Sequence, residues 1–418
     1  MDSIKIDSID YDYQGYRGVS IHPYPGTMPF PLAQDLVLKY SEKGQIILDP
    51  FTGSGTVLRA AASNERFSTG IDMNPLACLI AQFVTCPFDD NKDIKIYNQC
   101  REDIINSITE EELWPKDEWR PRINNWFLPD TQSRLAKIAH SIAKAKLRGK
   151  LKQFALLGFS RTVRQCSLAR KGEFKLWKIT GVPMFDDAVT IFNGEMISLL
   201  RDIVSIRNES PVPKHFRPKI IHGDSEKVLK RFDKADLVLT SPPYGDAWTT
   251  IAYGNFSMLN RIWLSAIDRQ YDESDPTKED GYSVGGNFRN RTKTNHSNIT
   301  TYSPLLLNYF NEVSKVSESR ACDLVMFCED MYGILGNVKN CLNKNGKVIL
   351  VVGPRTVSGV SIDMGLIFSE FMHKFGLSHY SRDNRKVSGK RLPSITSQGN
   401  LGLADTINEE NIDIFEFE

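Results

Sequence analysis

The residues best equipped for chemistry in this 418-residue chain form one short turn, Thr240-Ser241-Pro242-Pro243-Tyr244-Gly245-Asp246, directly after the apolar run Leu237-Val238-Leu239. Paired prolines fix φ and carry no N–H, so a rigid turn is the least that the sequence demands. Methyl transfer to an amine would use each residue of its Ser241-Pro242-Pro243-Tyr244 core. The exocyclic amine of a nucleobase is a poor nucleophile, because its lone pair is delocalised into the ring. A hydroxyl at Ser241 and the carbonyl of Pro242 can both accept hydrogen bonds from such an amine. That favours a more tetrahedral nitrogen with its lone pair aimed at an electrophilic methyl group. Proline leaves no competing donor at the turn, and Tyr244 offers a ring on which an extruded base can stack. Transfer would be direct and in line, with no covalent enzyme intermediate.

A second motif, Asp49-Pro-Phe-Thr-Gly-Ser-Gly-Thr56, follows the apolar run Gln45–Leu48 and opens a helical pattern. Glycines there let backbone approach a ligand closely, and a helix N-terminus offers unpaired N–H groups. No lysine follows the glycines, so the motif is not a phosphate loop for nucleoside triphosphates. Asp72 closes the next strand, where an acidic residue can accept from ribose hydroxyls. Asp224 closes the later run Lys219–Gly223. Taken singly, Asp72 and Asp224 are equally suited to capping a helix or a turn.

These side chains need a scaffold that brings several strand ends together. From His22 to Gln82 the pattern reads helix, strand, glycine turn, helix, strand: a βαβ unit with one helix in front. Strand-like runs return at Lys219–Ser225, Lys234–Tyr244 and Gly346–Gly353. In a doubly wound α/β sheet all the motifs would lie at the carboxyl edge, where ligands bind. Between them, residues 87–218 have helical spacing and little strand character, which predicts a helical insertion lobe between an N-terminal part (1–86) and a C-terminal part (219–418) of one α/β domain. The stretch 269–303, rich in Asp, Asn, Thr and Gly without apolar periodicity, reads as a long mobile surface loop.

The apolar share of 41% and charged share of 25% are those of an ordinary globular protein. No apolar run reaches 18 residues and the N-terminus has no apolar signal core, so neither a membrane span nor a secretion signal is expected. Seven cysteines without a CxxC pair suit reduced thiols in a cytoplasm. The net charge of +1 says little about partners, but thirteen Lys or Arg against a single Glu lie between Thr131 and Lys178. That stretch is either a solvated helical face or a surface that contacts phosphates.

Together the two motifs, with His22-Pro-Tyr-Pro-Gly-Thr-Met-Pro-Phe-Pro in front, resemble the DNA amino-methyltransferase family, which modifies cytosine N4 or adenine N6 on a doubly wound, Rossmann-like methyltransferase fold. The resemblance implies S-adenosylmethionine as methyl donor and no metal. It places Asp49, Phe51, Gly53 and Gly55 along the donor, Asp72 at its ribose and Asp224 near its adenine. Ser241, Pro242, Pro243 and Tyr244 match the family's catalytic tetrapeptide. Serine in its first position leans toward cytosine N4, and aspartate there toward adenine N6. Double-stranded DNA is the implied substrate, and a restriction endonuclease of matching specificity an implied partner. About 145 residues separate Asp72 from Lys219, which leaves open the segment that reads the DNA. One candidate is the basic insertion, including Arg161, Arg164, Arg170 and Lys171; the other is Asn287–Asn298, with Arg289 and Arg291. A cytosine C5 enzyme is disfavoured, since its chemistry needs a cysteine nucleophile beside proline and no Pro-Cys pair occurs. The remaining rivals are an RNA amino-methyltransferase, a nicotinamide dehydrogenase and a non-catalytic DNA-binding protein on the same fold.

Overall fold

The computed structural model describes residues 11–13, 16, 18–173, 175–181, 187–246, 250–287, 298–387, 395–397, 403–405 and 409–417. Helix α1 (Phe30–Tyr40) leads into strand β1 (Ile46–Asp49), helix α2 (Thr56–Ser63), strand β2 (Phe67–Asp72) and helix α3 (Pro75–Val84). Among the described residues five α-helices then intervene: α4 (Asp90–Asn106), α5 (Arg120–Trp126), α6 (Pro129–Lys144), α7 (Gly149–Cys166) and α8 (Ala188–Glu209). The sheet resumes with β3 (Lys219–His222), α9 (Ser225–Leu229), β4 (Ala235–Thr240) and α10 (Tyr253–Ile267). Short helices α11 (Glu279–Tyr282) and α12 (Ile299–Tyr302) precede α13 (Pro304–Ser314), α14 (Glu318–Asn340) and β5 (Leu342–Val352). A hairpin of β6 (Arg355–Val357) and β7 (Val360–Ile362), then α15 (Met364–Lys374), lead to β8 (Leu377–Lys386). The small strands β9 (Ile395–Ser397) and β10 (Leu403–Asp405) pair with each other, and β11 (Glu409–Phe417) returns to the main sheet.

The seven-stranded sheet has the order β3-β2-β1-β4-β5-β11-β8. Neighbours from β3 to β5 are parallel, and β11 runs antiparallel between β5 and β8. The chain therefore winds outward in two directions from β1 and β4, and the crevice at their carboxyl ends is the switch point where doubly wound sheets bind ligands.

Burial on both faces explains the unbroken apolar runs. On β4, Leu237 and Leu239 pack into one cluster with Leu32, Leu36 and Val37 of α1, whereas Ala235 and Val238 pack into another with Leu324, Phe327 and Met331 of α14. On β5, Ile349 and Val351 alternate in the same way with Val348, Leu350 and Val352. The third cluster joins α4–α8 to α3 and α10, with Trp263 of α10 edge-on to Phe127 and Phe159. The helices between residues 90 and 209 thus share a core that is continuous with two helices of the sheet domain.

A buried polar junction locks this assembly. His22 donates from Nδ1 to the carbonyl of Pro23 and accepts at Nε2 from Ser160 Oγ (2.9 Å); Asn260 Nδ2 donates to the same Oγ (2.8 Å). Burial pushes the imidazole down to about 3, so it is neutral, which this bonding pattern requires. The first part of the stretch 269–303 departs from the surface loop expected of it. Arg261, buried in α10, pairs with Glu279 and donates to the carbonyls of Tyr271 and Ser274, and Tyr271 and Val284 are buried. All seven cysteines are free. No described helix is long and apolar enough to cross a membrane.

Candidate active site

The turn after β1 is built by its glycines. Gly53 (φ 49°) and Gly55 (φ 86°) both lie in the left-handed region, and a Cβ on Gly55 would stand 2.9 Å from the Cα of Ala81 in α3. Only glycine lets this turn close against α3 and open α2. The turn presents Gly53 N–H to Asp72 Oδ2 (2.8 Å), while Asp72 Oδ1 accepts from Asn74 N–H (2.8 Å). Each oxygen keeps a second acceptor site. Asp49, 2% exposed at the end of β1, accepts through Oδ1 from Phe51 N–H (3.1 Å) and from Thr240 Oγ1 (2.6 Å). That last bond ties the glycine turn to the strand that carries the Ser-Pro-Pro-Tyr turn.

These partners are neutral. Burial raises the Asp49 carboxyl to about 7, against the lowering effect of Thr240 and Phe51, and raises Asp72 to about 6 against its two backbone donors. Asp224 caps α9 by accepting from Glu226 N–H (3.0 Å), and the adjacent Ser225 Oγ donates to the carbonyl of Pro50 (2.5 Å).

A groove of about 990 Å³, counting its mouth open to solvent, runs along these strand ends. Asp49, Phe51, Gly53, Asp72, Asp224, Ser241 and Pro243 all line it, which brings most of the two expected residue sets to one space. Tyr24, Tyr253 and Asp280 line it as well. The rings of Tyr24 and Tyr253 stack at 5.8 Å. Asp280 lies in the stretch expected to be a loop; it accepts from Gly254 and Asn255 N–H (2.7 and 2.8 Å) and so caps α10. Tyr24 belongs to the proline-rich segment that the resemblance had included, whereas nothing local in the sequence marks Asp280.

Pro242 is buried, while Ser241, Pro243 and Tyr244 are half-buried. Tyr244 is not among the residues that line the groove. Its hydroxyl lies 3.2 Å from Ser241 Oγ and donates to Glu410 Oε1 (2.9 Å). Behind the turn, buried Asp246 pairs with buried Arg355 of β6.

The expected DNA-contacting side chains divide sharply. Arg161 is not available to phosphate: Nε donates to Glu195 (2.5 Å), NH1 to Asp202 (2.7 Å) and NH2 to Ser198 (2.9 Å), all on α8. Much of the basic excess is balanced likewise by acids outside the stretch, with Lys137 on Glu110, Lys144 on Glu111, Lys150 on Asp93 and Lys152 on Asp268. Half-buried Arg164 lies 4.0 Å over the ring of Phe256. Lys171 Nζ donates to the carbonyls of Arg164 and Gln165 (the latter at 2.9 Å) at the end of α7, whereas Arg170, Lys175, Trp177 and Lys178 are exposed on a hairpin-like excursion closed by Arg170 N–H to Trp177 O (2.8 Å) and Ile179 N–H to Leu168 O (2.9 Å). Leu176 N–H donates to Asn255 Oδ1 (2.8 Å), which anchors the excursion beside Gly254 at the groove. Arg289 and Arg291 lie outside the described residues.

The donor set suits a cationic nucleoside, with two raised carboxyls facing neutral partners, a carboxylate that can still accept from hydroxyls, and flanking aromatic rings. A groove at the switch point of a doubly wound sheet, with a Ser-Pro-Pro-Tyr turn beside it, is an arrangement that S-adenosylmethionine-dependent methyl transfer could use. Residues 7–83 match the N6/N4 methyltransferase family model, described as DNA methylase. Over 404 residues, 91% of this chain and 86% of the relative, the sequence is 30% identical to the Type II methyltransferase M.MvaI of Kocuria varians. Shorter matches reach the Type II methyltransferase M.MjaII of Methanocaldococcus jannaschii (40% over 76 residues, 18% of this chain and 14% of that one) and the Orphan methyltransferase M.BamHII of Bacillus amyloliquefaciens (41% over 58 residues, 14% and 22%). The chain belongs to the DNA amino-methyltransferase family.

Proposed function

We propose that this protein methylates the N4 amine of cytosine at a specific site in double-stranded DNA, as the modification enzyme of a restriction system. One observation carries the choice of base: a neutral hydroxyl, Ser241, stands first in the turn and lines the same groove as Asp49 and Asp72. Bound S-adenosylmethionine supplies an electrophilic methyl group on a sulfonium. Asp49 and Asp72 hold its positive charge and its ribose hydroxyls, Phe51 and Asp224 flank its adenine, and the backbone of Gly53 and Gly55 allows close approach.

The target base leaves the duplex, which costs a few kcal/mol and is offset by stacking and pocket hydrogen bonds. Ser241 Oγ and the Pro242 carbonyl accept from the amine and free its lone pair. Tyr244, beside Ser241, supplies a stacking face. The exposed basic excursion, with Arg170, Lys175 and Lys178 around Trp177, contacts the DNA backbone next to the groove. The test is methyl transfer from labelled S-adenosylmethionine to unmodified duplex DNA, with the product digested to nucleosides and weighed. N4-methylcytosine is expected. N6-methyladenine would correct the base and keep the site, whereas label in RNA alone would overturn the reading.

A further inference from the structure

Because β11 runs opposite to its parallel neighbours, its first residues reach the catalytic edge of the sheet. Glu410, 6% exposed, stands directly opposite Arg385 of β8, itself 3% exposed. Arg385 donates from Nε and NH2 to Glu410 Oε2, both at 2.7 Å. The other oxygen, Oε1, accepts the Tyr244 hydroxyl proton (2.9 Å). A carboxylate held by a guanidinium only accepts. Tyrosine has a single hydroxyl proton, and Glu410 takes it. The contact between Ser241 Oγ and the Tyr244 oxygen (3.2 Å) must therefore use the serine proton. That leaves the lone pairs of Ser241 Oγ free to accept from the groove.

We propose that Glu410, backed by Arg385, is a positioning residue that polarises the chain Ser241→Tyr244→Glu410 and so fixes Ser241 as a hydrogen-bond acceptor toward the substrate amine. The inference rests on the assignment of the Ser241–Tyr244 turn to the target base. Its chemical sense is directional. With the chain reversed, the serine hydrogen would point into the groove and compete for the nitrogen lone pair that must attack the methyl group. Polarised toward Glu410, the same hydroxyl draws on an N–H of the amine and leaves that lone pair free.

Glu410→Gln keeps the shape, but its amide can donate to the Tyr244 oxygen and allow the reversed chain. Single-turnover methyl transfer should fall roughly 10- to 100-fold, as for loss of one aligned polar group at a reacting centre. S-adenosylmethionine affinity should stay within about twofold, since the variant touches no donor-facing group. In a Tyr244→Phe background the second change should add nothing, because the link it acts through is gone. Unchanged turnover in the single variant, or losses that multiply in the double, would overturn the proposal. Should Glu410→Gln not fold, Ser241→Ala and Tyr244→Phe decide the matter, and multiplying losses there would break the chain. The two levels separate cleanly. Impaired Ser241→Ala with normal Glu410→Gln sinks Glu410 alone, whereas normal Ser241→Ala and Tyr244→Phe sink the assignment of the turn as well.

Discussion

The helical lobe and the two carboxyls that end β1 and β2 bury charge in opposite ways. In the lobe, Arg161 meets Glu195 and Asp202, Lys150 meets Asp93, and Arg261 of the adjoining α10 meets Glu279. At the sheet edge, Asp49 and Asp72 meet only hydroxyl and backbone N–H groups among their hydrogen-bond partners, and burial lifts both carboxyls, to about 7 and about 6. A buried carboxylate without a cation is costly. The paired charges of the lobe serve its packing, whereas on the proposed reading a positively charged ligand would complete the environment of Asp49 and Asp72.

The contrast can be broken at several points. Tyr244→Ala should have the largest effect, cutting the methyl-transfer rate roughly 100- to 1000-fold while S-adenosylmethionine affinity, measured by calorimetry, stays nearly intact. A variant with normal turnover would remove Tyr244 from the chemistry. Asp49→Asn and Asp72→Asn should each weaken donor binding about 10-fold or more, the scale of a charge-assisted hydrogen bond, with little change in melting temperature. Arg161→Ala should do the reverse, costing roughly 2–4 kcal/mol in denaturant unfolding because two largely buried carboxylates lose their cation, with donor affinity unchanged. The smallest effect is expected on the excursion. Replacing Arg170 and Lys175 with alanine should weaken DNA binding for all sequences and lower the slope of log K against log salt by about 2. An unchanged slope would place the phosphate contacts elsewhere.

Much of this contrast was invisible in the sequence, for reasons that lie in particular residues. Ile46–Leu48, the glycines at 53 and 55 and the Ser241–Tyr244 turn were legible because period, φ requirement and missing donors are local properties. Arg161 stands out in the sequence as a candidate phosphate contact because its acids lie on α8, beyond the basic stretch Thr131–Lys178. Asp280 and Glu279 were hidden because residues 269–287 are held by side-chain bonds to α10, which leave no apolar periodicity to detect. Glu410 could be found only after the direction of β11 was known, since in a parallel strand its position would fall at the opposite edge.

The unbalanced carboxyls give the most direct test of the account. Their raised folded values mean that the unliganded protein holds protons on Asp49 and Asp72 as pH falls through about 7 and about 6. A cationic donor binds the ionised forms, so binding in that range must release protons. The decisive measurement is calorimetric titration of S-adenosylmethionine near pH 6.5 in buffers of different ionisation enthalpy. The account predicts net proton release that Asp49→Asn diminishes, with affinity weakening as pH falls below about 7. Proton-neutral binding that is independent of pH and indifferent to Asp49→Asn would contradict it.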